Sequence, residues 1–239
     1  MSDATGPPPE DRGGSDLEMA AEWGFSSRSE HRAPATLAVI VAVALQLLLP
    51  DRVIVGMGPR WLFPALELLL ALALLVSTPR RAHDEPRLLR YGAVGLIALI
   101  NVANLVSLVE LIRALVSPVA SIANGRALVA ASLSIWVTNV IVFALWYWEL
   151  DRGGPGARMH TVHQEPDFLF PQMTARGATR GRWSPDFFDY LYTSYTNASA
   201  FSPTDTMPLT TWAKLLMMGQ SFASLITVAL VVSRAVNIL

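Results

Sequence analysis

The sequence has no cysteine and only one lysine, and charged side chains make up 15% of its 239 residues. Without cysteine the chain cannot form disulfides, thiolate metal sites or iron–sulfur clusters. The 18 basic and 19 acidic side chains nearly cancel, so no basic surface favours nucleic acid as a partner. The excess of arginine over lysine is typical of a bacterial genome rich in G and C. Soluble domains carry roughly a quarter charged residues, so this composition argues against an ordinary soluble domain.

Apolar residues form 52% of the chain, and its mean hydropathy is +0.40. The apolar residues cluster in runs close to the length that crosses a bilayer. A helix needs about 20 apolar residues to span the hydrocarbon core. We therefore predict an all-α, polytopic membrane helix bundle with about five transmembrane helices, in contact with the lipid bilayer. The candidate spans are Ala35–Leu49, Trp61–Ser77, Tyr91–Leu115, Ala127–Leu150 and Leu215–Leu239.

Residues 1–34 precede the first apolar run and are rich in proline, glycine, serine and acidic side chains. This composition predicts a disordered tail. Residues 35–126 then form a three-helix transmembrane region. Most arginines lie in the tail, in the loop 78–90 and after Trp148, whereas the alternate loops hold few. The positive-inside rule therefore predicts a multi-pass protein of the cell membrane with a cytoplasmic N-terminus.

The segment between the last two spans has two parts of different character. Residues 151–185 are rich in glycine and polar side chains and are predicted to be a long loop. Residues 186–201 are aromatic and follow a helix-start pattern, but they are too few to cross a bilayer. We predict a re-entrant helix over 186–201, a loop over 202–210 and the last helix over 211–239.

The C-terminal part carries a spaced set of residues that is found in one class of channel. The matching positions, in order and without a gap, are Asp189, Leu191, Tyr192, Ser194, Asp205, Pro208, Leu209 and Thr210. With them, residues 189–237 resemble the pore helix, filter and inner helix of potassium-channel-type pore modules. The resemblance implies that 127–239 is a pore-module-like region with 127–150 as its outer helix. It also implies a homo-oligomer, a tetramer if the protein is a channel.

The sequence departs from this channel pattern at the selectivity filter. Where the modules have T-V-G-Y-G, this chain has Ala200, Phe201, Ser202, Pro203 and Thr204. Filter glycines let the backbone turn its carbonyl oxygens towards the ion, and proline fixes its own φ. Potassium selectivity is therefore not implied.

Two functions remain open: weakly selective ion permeation, and a non-conducting membrane scaffold or assembly protein. The FALWYWELDRGGP and TNASAFSPTDTMPL strings also resemble those of multi-spanning bacterial membrane proteins, a likeness that implies no activity. No nucleophile elbow, HExxH, phosphate loop or dinucleotide fingerprint occurs, so an intramembrane enzyme is a distant third. We expect no catalytic residues, no metal and no cofactor.

Polar residues inside predicted spans are costly and are candidates for function. They are Glu67, Asn101, Asn104 and Asn139. The asparagines either line a cavity or form interhelical hydrogen bonds, and we favour the hydrogen bonds. Glu67 is the stronger functional candidate, because a buried ionised carboxylate must be paired or protonated. Asp205, after the filter-equivalent residues, is predicted either to accept hydrogen bonds from nearby amides or to attract cations in a water-filled vestibule.

Overall fold

The described part of the chain in the computed structural model contains seven α-helices with defined bounds, further helical residues within 64–72, a 3-10 helix and one short pair of strands. This part comprises residues 33–47, 64–65, 67–69, 71–72, 87–116, 125–160, 165–174, 183–199 and 205–236. The helices are α1 (Ala33–Leu47), α2 (Arg87–Val116), α3 (Gly125–Leu150), α4 (Pro155–His160), α5 (Pro171–Thr174), α6 (Phe187–Ser199) and α7 (Thr211–Val236). A 3-10 helix covers Asp151–Gly153, and β1 (Phe168–Leu169) pairs antiparallel with β2 (Met207–Pro208).

Helices α2, α3 and α7 are each long and apolar enough to cross a membrane. A helix satisfies its own backbone hydrogen bonds, which lipid cannot do, so long apolar runs fold this way. The predicted all-α membrane helix bundle is confirmed. Helix α1 has 15 residues, about 22 Å at 1.5 Å per residue, and is shorter than a bilayer core. Most of the predicted span 61–77 lies outside the described residues, and the few described there are helical.

Helix α3 is the centre of the bundle and packs against α1, α2, α6 and α7. Its second half is buried almost continuously from Thr138 to Leu145. The main apolar core joins α1, α2 and this half of α3 to α6 and the start of α7. A smaller core joins α2, the first half of α3 and the middle of α7. Helices α2 and α7 expose most of their apolar surface, as expected of helices that face lipid.

Helix α6 begins with a reciprocal cap between two aspartates. The Asp186 carboxylate accepts hydrogen bonds from the backbone N–H of Phe188 (2.8 Å) and of Asp189 (3.3 Å). In return, the Asp189 carboxylate accepts the N–H of Asp186 at 2.9 Å. The exchange has the form of a capping box and satisfies donors that the first helical turn leaves free. The acids seen in the sequence therefore begin the helix, with Pro185 just before the cap.

Helix α6 starts beside the C-terminal end of α3 and runs along α3 towards its first half. The chain after α6 lies again beside the C-terminal end of α3. Tyr190, in its first turn, hydrogen-bonds to Asp151 at the end of α3. Near its last turn, the Ala198 carbonyl accepts the Trp136 indole N–H at 3.4 Å, roughly 22 Å back along α3. By Thr206 the chain again lies beside α6, because the Thr193 hydroxyl donates to Thr206 Oγ1 at 3.0 Å. We call the described residues 187–199 and 205–210 the helix-and-return segment.

The segment 151–185, predicted to be a long loop, contains short helices and a strand among its described residues. The 3-10 helix, α4, β1 and α5 all lie within it, and Asp151, Arg158, Phe168 and Phe170 are buried. Likewise, the end of the predicted loop 202–210 forms β2. Glycine content and polarity suggested a solvated loop, whereas pairing with residues distant in sequence gives this segment its structure. The two strands are the one departure from all-α structure in the described residues.

Candidate functional site

A group of neutral polar side chains lies between α3, α6 and α7. We call it the inner polar network. It consists of Asn139, Tyr147, Ser194, Asn197, Gln220, Ser221 and Ser224. Its members form hydrogen bonds with one another and with the backbone of neighbouring helices.

Gln220, on α7, is fully buried at the centre of this network. Its amide oxygen accepts the Tyr147 hydroxyl at 2.6 Å and the Asn197 amide N–H at 2.8 Å. Its amide nitrogen donates to the Ser194 carbonyl at 2.9 Å and to the Ser194 hydroxyl at 2.6 Å. One glutamine thus connects all three helices and satisfies both atoms of its amide.

Several side chains of the network bind the backbone of a neighbouring helix. The Ser194 hydroxyl donates to the Val140 carbonyl of α3 at 2.6 Å, and the Asn197 amide donates to the Met217 carbonyl of α7 at 3.0 Å. The predicted residue Asn139 donates to the Ser224 hydroxyl of α7 at 2.8 Å, while its own Oδ1 has no hydrogen-bond partner. Asn139 therefore makes an interhelical hydrogen bond.

A second group, which is charged, lies where α3 ends. We call it the junction cluster. Its members are Asp151, Arg152, Arg158, Asp167, Tyr190 and Trp212.

Asp151 is fully buried within the junction cluster. Its carboxylate accepts the Tyr190 hydroxyl at 2.6 Å and the Asp167 backbone N–H at 2.9 Å, with Arg152 Nε 3.7 Å away. A buried carboxylate is tolerated when it is hydrogen-bonded and paired in this way.

Asp167 connects the junction cluster to the helix-and-return segment. Its carboxylate accepts the Arg152 backbone N–H at 2.8 Å and the Trp212 indole N–H at 2.9 Å. Its carbonyl accepts the Leu209 N–H at 2.8 Å, next to the β1–β2 pairing. The start of α7 and the returning chain are thereby held against the end of α3.

Arg158 closes the same cluster from α4. Its guanidinium donates to the carbonyls of Trp148 at 2.7 Å and of Asp151 at 2.9 Å, and lies 5.3 Å from the Tyr190 ring centroid. Two buried arginines thus face two aspartates, so the cluster is close to neutral. Charge-assisted hydrogen bonds and a cation–π contact offset the desolvation of these groups.

The turn that leaves α3 requires glycine. Arg152, Gly153 and Gly154 have φ values of 51°, 79° and 97°, a region that side chains disfavour. A Cβ atom on Gly154 would lie 2.8 Å from the Glu149 carbonyl oxygen. Arg152 adopts this conformation with its guanidinium buried, and its Nε has no hydrogen-bond partner.

Aromatic rings separate the charged cluster from the neutral network. The fully buried ring of Phe168 lies 5.0 Å from Tyr147, 5.9 Å from Trp212 and 6.4 Å from Tyr190, measured between ring centroids. Tyr147 belongs to the inner polar network, and the other two belong to the junction cluster. The aromatic layer therefore gives the two polar groups separate surroundings.

The filter-equivalent residues Ala200, Phe201, Ser202, Pro203 and Thr204 lie outside the described part of the chain. Asp205 is described and exposed, and none of the described residues donates a hydrogen bond to its carboxylate.

Asp189 is half-buried at the start of α6. Burial raises the pKa of Asp189 to about 6, the hydrogen bond from the Asp186 N–H opposes this, and repulsion by the Asp186 carboxylate adds to it.

The remaining predicted polar residues are far from the helix-and-return segment in sequence. Glu67 is fully buried and accepts the Gln46 amide N–H of α1 at 3.5 Å. On α2, Asn104 is buried, and Asn101 has a buried Oδ1 without a hydrogen-bond partner. Among the described residues, no hydrogen bond joins these three side chains to the inner polar network, so Asn139 is the one member of the predicted set placed within it.

Sequence reasoning did not select Gln220, Asp151, Asp167, Arg158 or Tyr190 as site residues. A signal for Asp151 was present, because it follows directly on the aromatic end of α3. Gln220, a polar residue inside a predicted span, carried the same signal as the asparagines. The pairing of Asp167 with Trp212 spans 45 residues and has no local signature.

The two polar groups hold helices together, and neither has the form of a catalytic or metal centre. Within the described ranges, no group of three or more histidine or acidic side chains could hold a metal ion. Comparison with protein-family models, curated proteins and solved structures finds no match to the chain.

Proposed function

We propose that this chain is a multi-pass protein of the cell membrane whose residues 127–239 form a pore-type module for weakly selective ion permeation. The supporting observation is the helix-and-return segment between α3 and α7. A short helix enters beside two long helices, and the chain comes back to the same end. Irregular backbone survives at membrane depth where it is buried in protein or lines water.

The proposal includes assembly of several copies around the pore, as a tetramer. In its described residues one chain supplies a single helix-and-return segment, which cannot enclose a pore by itself. The outer face of α6 exposes Phe188, Tyr192 and Tyr195, and the outer face of α7 exposes Leu215 and Phe222. Aromatic rings with hydroxyl groups suit contact with protein or the membrane interface better than contact with lipid tails.

The orientation proposed from the arginine distribution places the N-terminus and the junction cluster in the cytoplasm. Asp205 then faces the cytoplasmic entrance of the module. Its exposed carboxylate would attract cations there without a structural role. We propose no catalytic activity.

Planar bilayers containing the purified full chain test permeation. We expect unitary currents that discriminate poorly between potassium and sodium, because the filter glycines are missing. Asp205→Asn should lower the cation conductance and leave the unfolding temperature unchanged, since no described residue depends on this carboxylate. A strong potassium preference would contradict the argument from the filter residues.

A non-conducting scaffold is the second candidate, and the inner polar network favours it. Gln220, Ser194 and Asn197 direct their hydrogen bonds to groups of the same chain. A helix-and-return segment fixed in this way serves assembly as well as permeation. Electrical silence across several salts, from protein shown to be folded and inserted, would decide for the scaffold.

A further inference from the structure

Glu67 and Gln46 form an isolated polar pair in the N-terminal half of the chain. Glu67 is 0% exposed and Gln46 is 7% exposed. The Gln46 amide nitrogen lies 3.5 Å from Glu67 Oε1, and Glu67 Oε2 has no hydrogen-bond partner. Glu67 is therefore a fully buried acid with one long hydrogen bond.

The sequence on either side of each member of this pair is apolar. Glu67 lies in the run ALELLLALALL, and Gln46 follows the buried residues Ala42 and Val43 of α1. Among the described residues, Gln46 of α1 is the one hydrogen-bond partner of the Glu67 carboxyl group, and no ion pair includes Glu67. Asp151 differs from Glu67 in this respect, because two arginines lie beside the Asp151 carboxylate.

An ionised carboxylate in such a place loses its hydration without gaining a cation, which costs several kcal/mol. One neutral amide at the limit of hydrogen-bond distance does not offset that loss. The neutral acid fits better, because its O–H can donate to the Gln46 amide oxygen when the amide is turned by 180°. The two amide orientations are equivalent in shape, so the pair needs no other rearrangement.

We propose that Glu67 and Gln46 form a proton-binding site inside the membrane, in which Glu67 is held as the neutral carboxylic acid. The ligand is a proton, and Gln46 orients the acid. This site belongs to the region before the pore-type module and does not depend on whether that module conducts. Release of the proton would leave a negative charge against the apolar side of α1, so proton exchange requires that contact to open.

Infrared spectroscopy of the purified full chain in lipid nanodiscs tests the site at pH 7. We expect a carbonyl band of a protonated carboxyl group that disappears in Glu67→Gln. Gln46→Leu should keep the band and move it to higher frequency, because the acid loses its hydrogen bond. The matched control is Glu110→Gln, since Glu110 already pairs with Arg113 at 2.6 Å and should contribute no such band.

A spectrum of Glu67→Gln that is identical to that of the unsubstituted chain in the protonated-carboxyl region would overturn the proposal. If Glu67→Gln does not fold, Gln46→Leu decides, because leucine is well tolerated in an apolar helix. An unshifted band in folded Gln46→Leu would then show that the protonated acid is not Glu67 held by Gln46.

Discussion

The junction cluster and the inner polar network hold the same helix by different chemistry. At the start of α6, Tyr190 binds a buried carboxylate that two arginines accompany. Near its end, Asn197 binds the amide of Gln220, and no charge is present. Charged groups are used where irregular chain must be fixed beside the bundle, and neutral amides where helices meet inside it. A buried charge needs several partners, and residues 151–160 and 165–174 supply most of them.

Removing the acid of the junction cluster should have the largest effect. In Asp151→Ala, both arginines lose their counter-charge, and the Tyr190 hydroxyl and Asp167 N–H lose their acceptor. Breaking a buried ion pair in this way costs about 3–5 kcal/mol. Thermal unfolding followed by circular dichroism in detergent should show this loss, whereas Asp205→Asn should change the stability by less than about 0.5 kcal/mol. Equal unfolding temperatures for the two variants would contradict the structural role of the cluster.

Gly154→Ala tests how much the backbone conformation of the junction contributes to the free energy of unfolding, compared with its charged groups. The new Cβ atom would meet the Glu149 carbonyl oxygen at 2.8 Å, at a φ of 97°. We expect a loss of about 2–3 kcal/mol from this strain. Gly95→Ala in α2 is the matched control, because its Cβ would have no neighbour within 4 Å. A stable Gly154→Ala variant would show that the turn can adopt another conformation.

Gln220→Leu tests how much the inner polar network contributes to the free energy of unfolding. The variant keeps the side-chain volume and removes four hydrogen bonds. At about 0.6 kcal/mol each inside a membrane bundle, their loss should cost about 2 kcal/mol. The adjacent Gly219→Ala should be neutral or slightly stabilising, since the position is open and alanine favours helix. Chemical denaturation in mixed micelles measures both, and a cost above that of Asp151→Ala would reverse the ranking of the two groups.

The smallest effect concerns pH and Asp189. The raised folded-state pKa, about 6 against 3.8, means that the folded protein binds more protons than the unfolded chain between these values. This contribution therefore falls as the pH rises from about 4 to 6. Asp189→Asn keeps an acceptor for the Asp186 N–H and removes the titration. The stability difference between the two proteins should change by less than about 1 kcal/mol over this range, because solvent screens a half-buried group. A difference that is constant with pH would exclude the effect.

The three long helices could be predicted from the sequence, with starts that differ from the observed ones by two to four residues. The predicted span Ala127–Leu150 lies within α3, and Tyr91–Leu115 lies within α2. Lipid demands that the backbone satisfy its own hydrogen bonds, so an apolar run of sufficient length has one local solution. Helix α6 was also predictable, because its capping acids and aromatic composition are local signals.

The junction cluster could not be predicted in the same way. Its segment has the composition of a loop, and the Asp167 contacts that fix it reach back to Arg152 and forward to Trp212. A pattern of neighbouring residues contains no trace of such pairings. Within the inner polar network, Asn139 was selected from its place in a span, but the choice of Ser224 and Gln220 as partners depends on how α7 lies against α3.

Helix α6 is held in register by main-chain carbonyls. Ser194 binds the Val140 carbonyl, and Trp136 reaches the Ala198 carbonyl, so the contacts at both points depend on backbone positions. Side chains elsewhere on these helices can diverge in evolution without moving α6, provided that their volumes still fit. A carbonyl facing the same side recurs only about every turn of a helix, roughly 5.4 Å apart. We therefore expect α6 to move along α3 in steps of one helical turn, because intermediate positions offer the Ser194 hydroxyl no carbonyl acceptor.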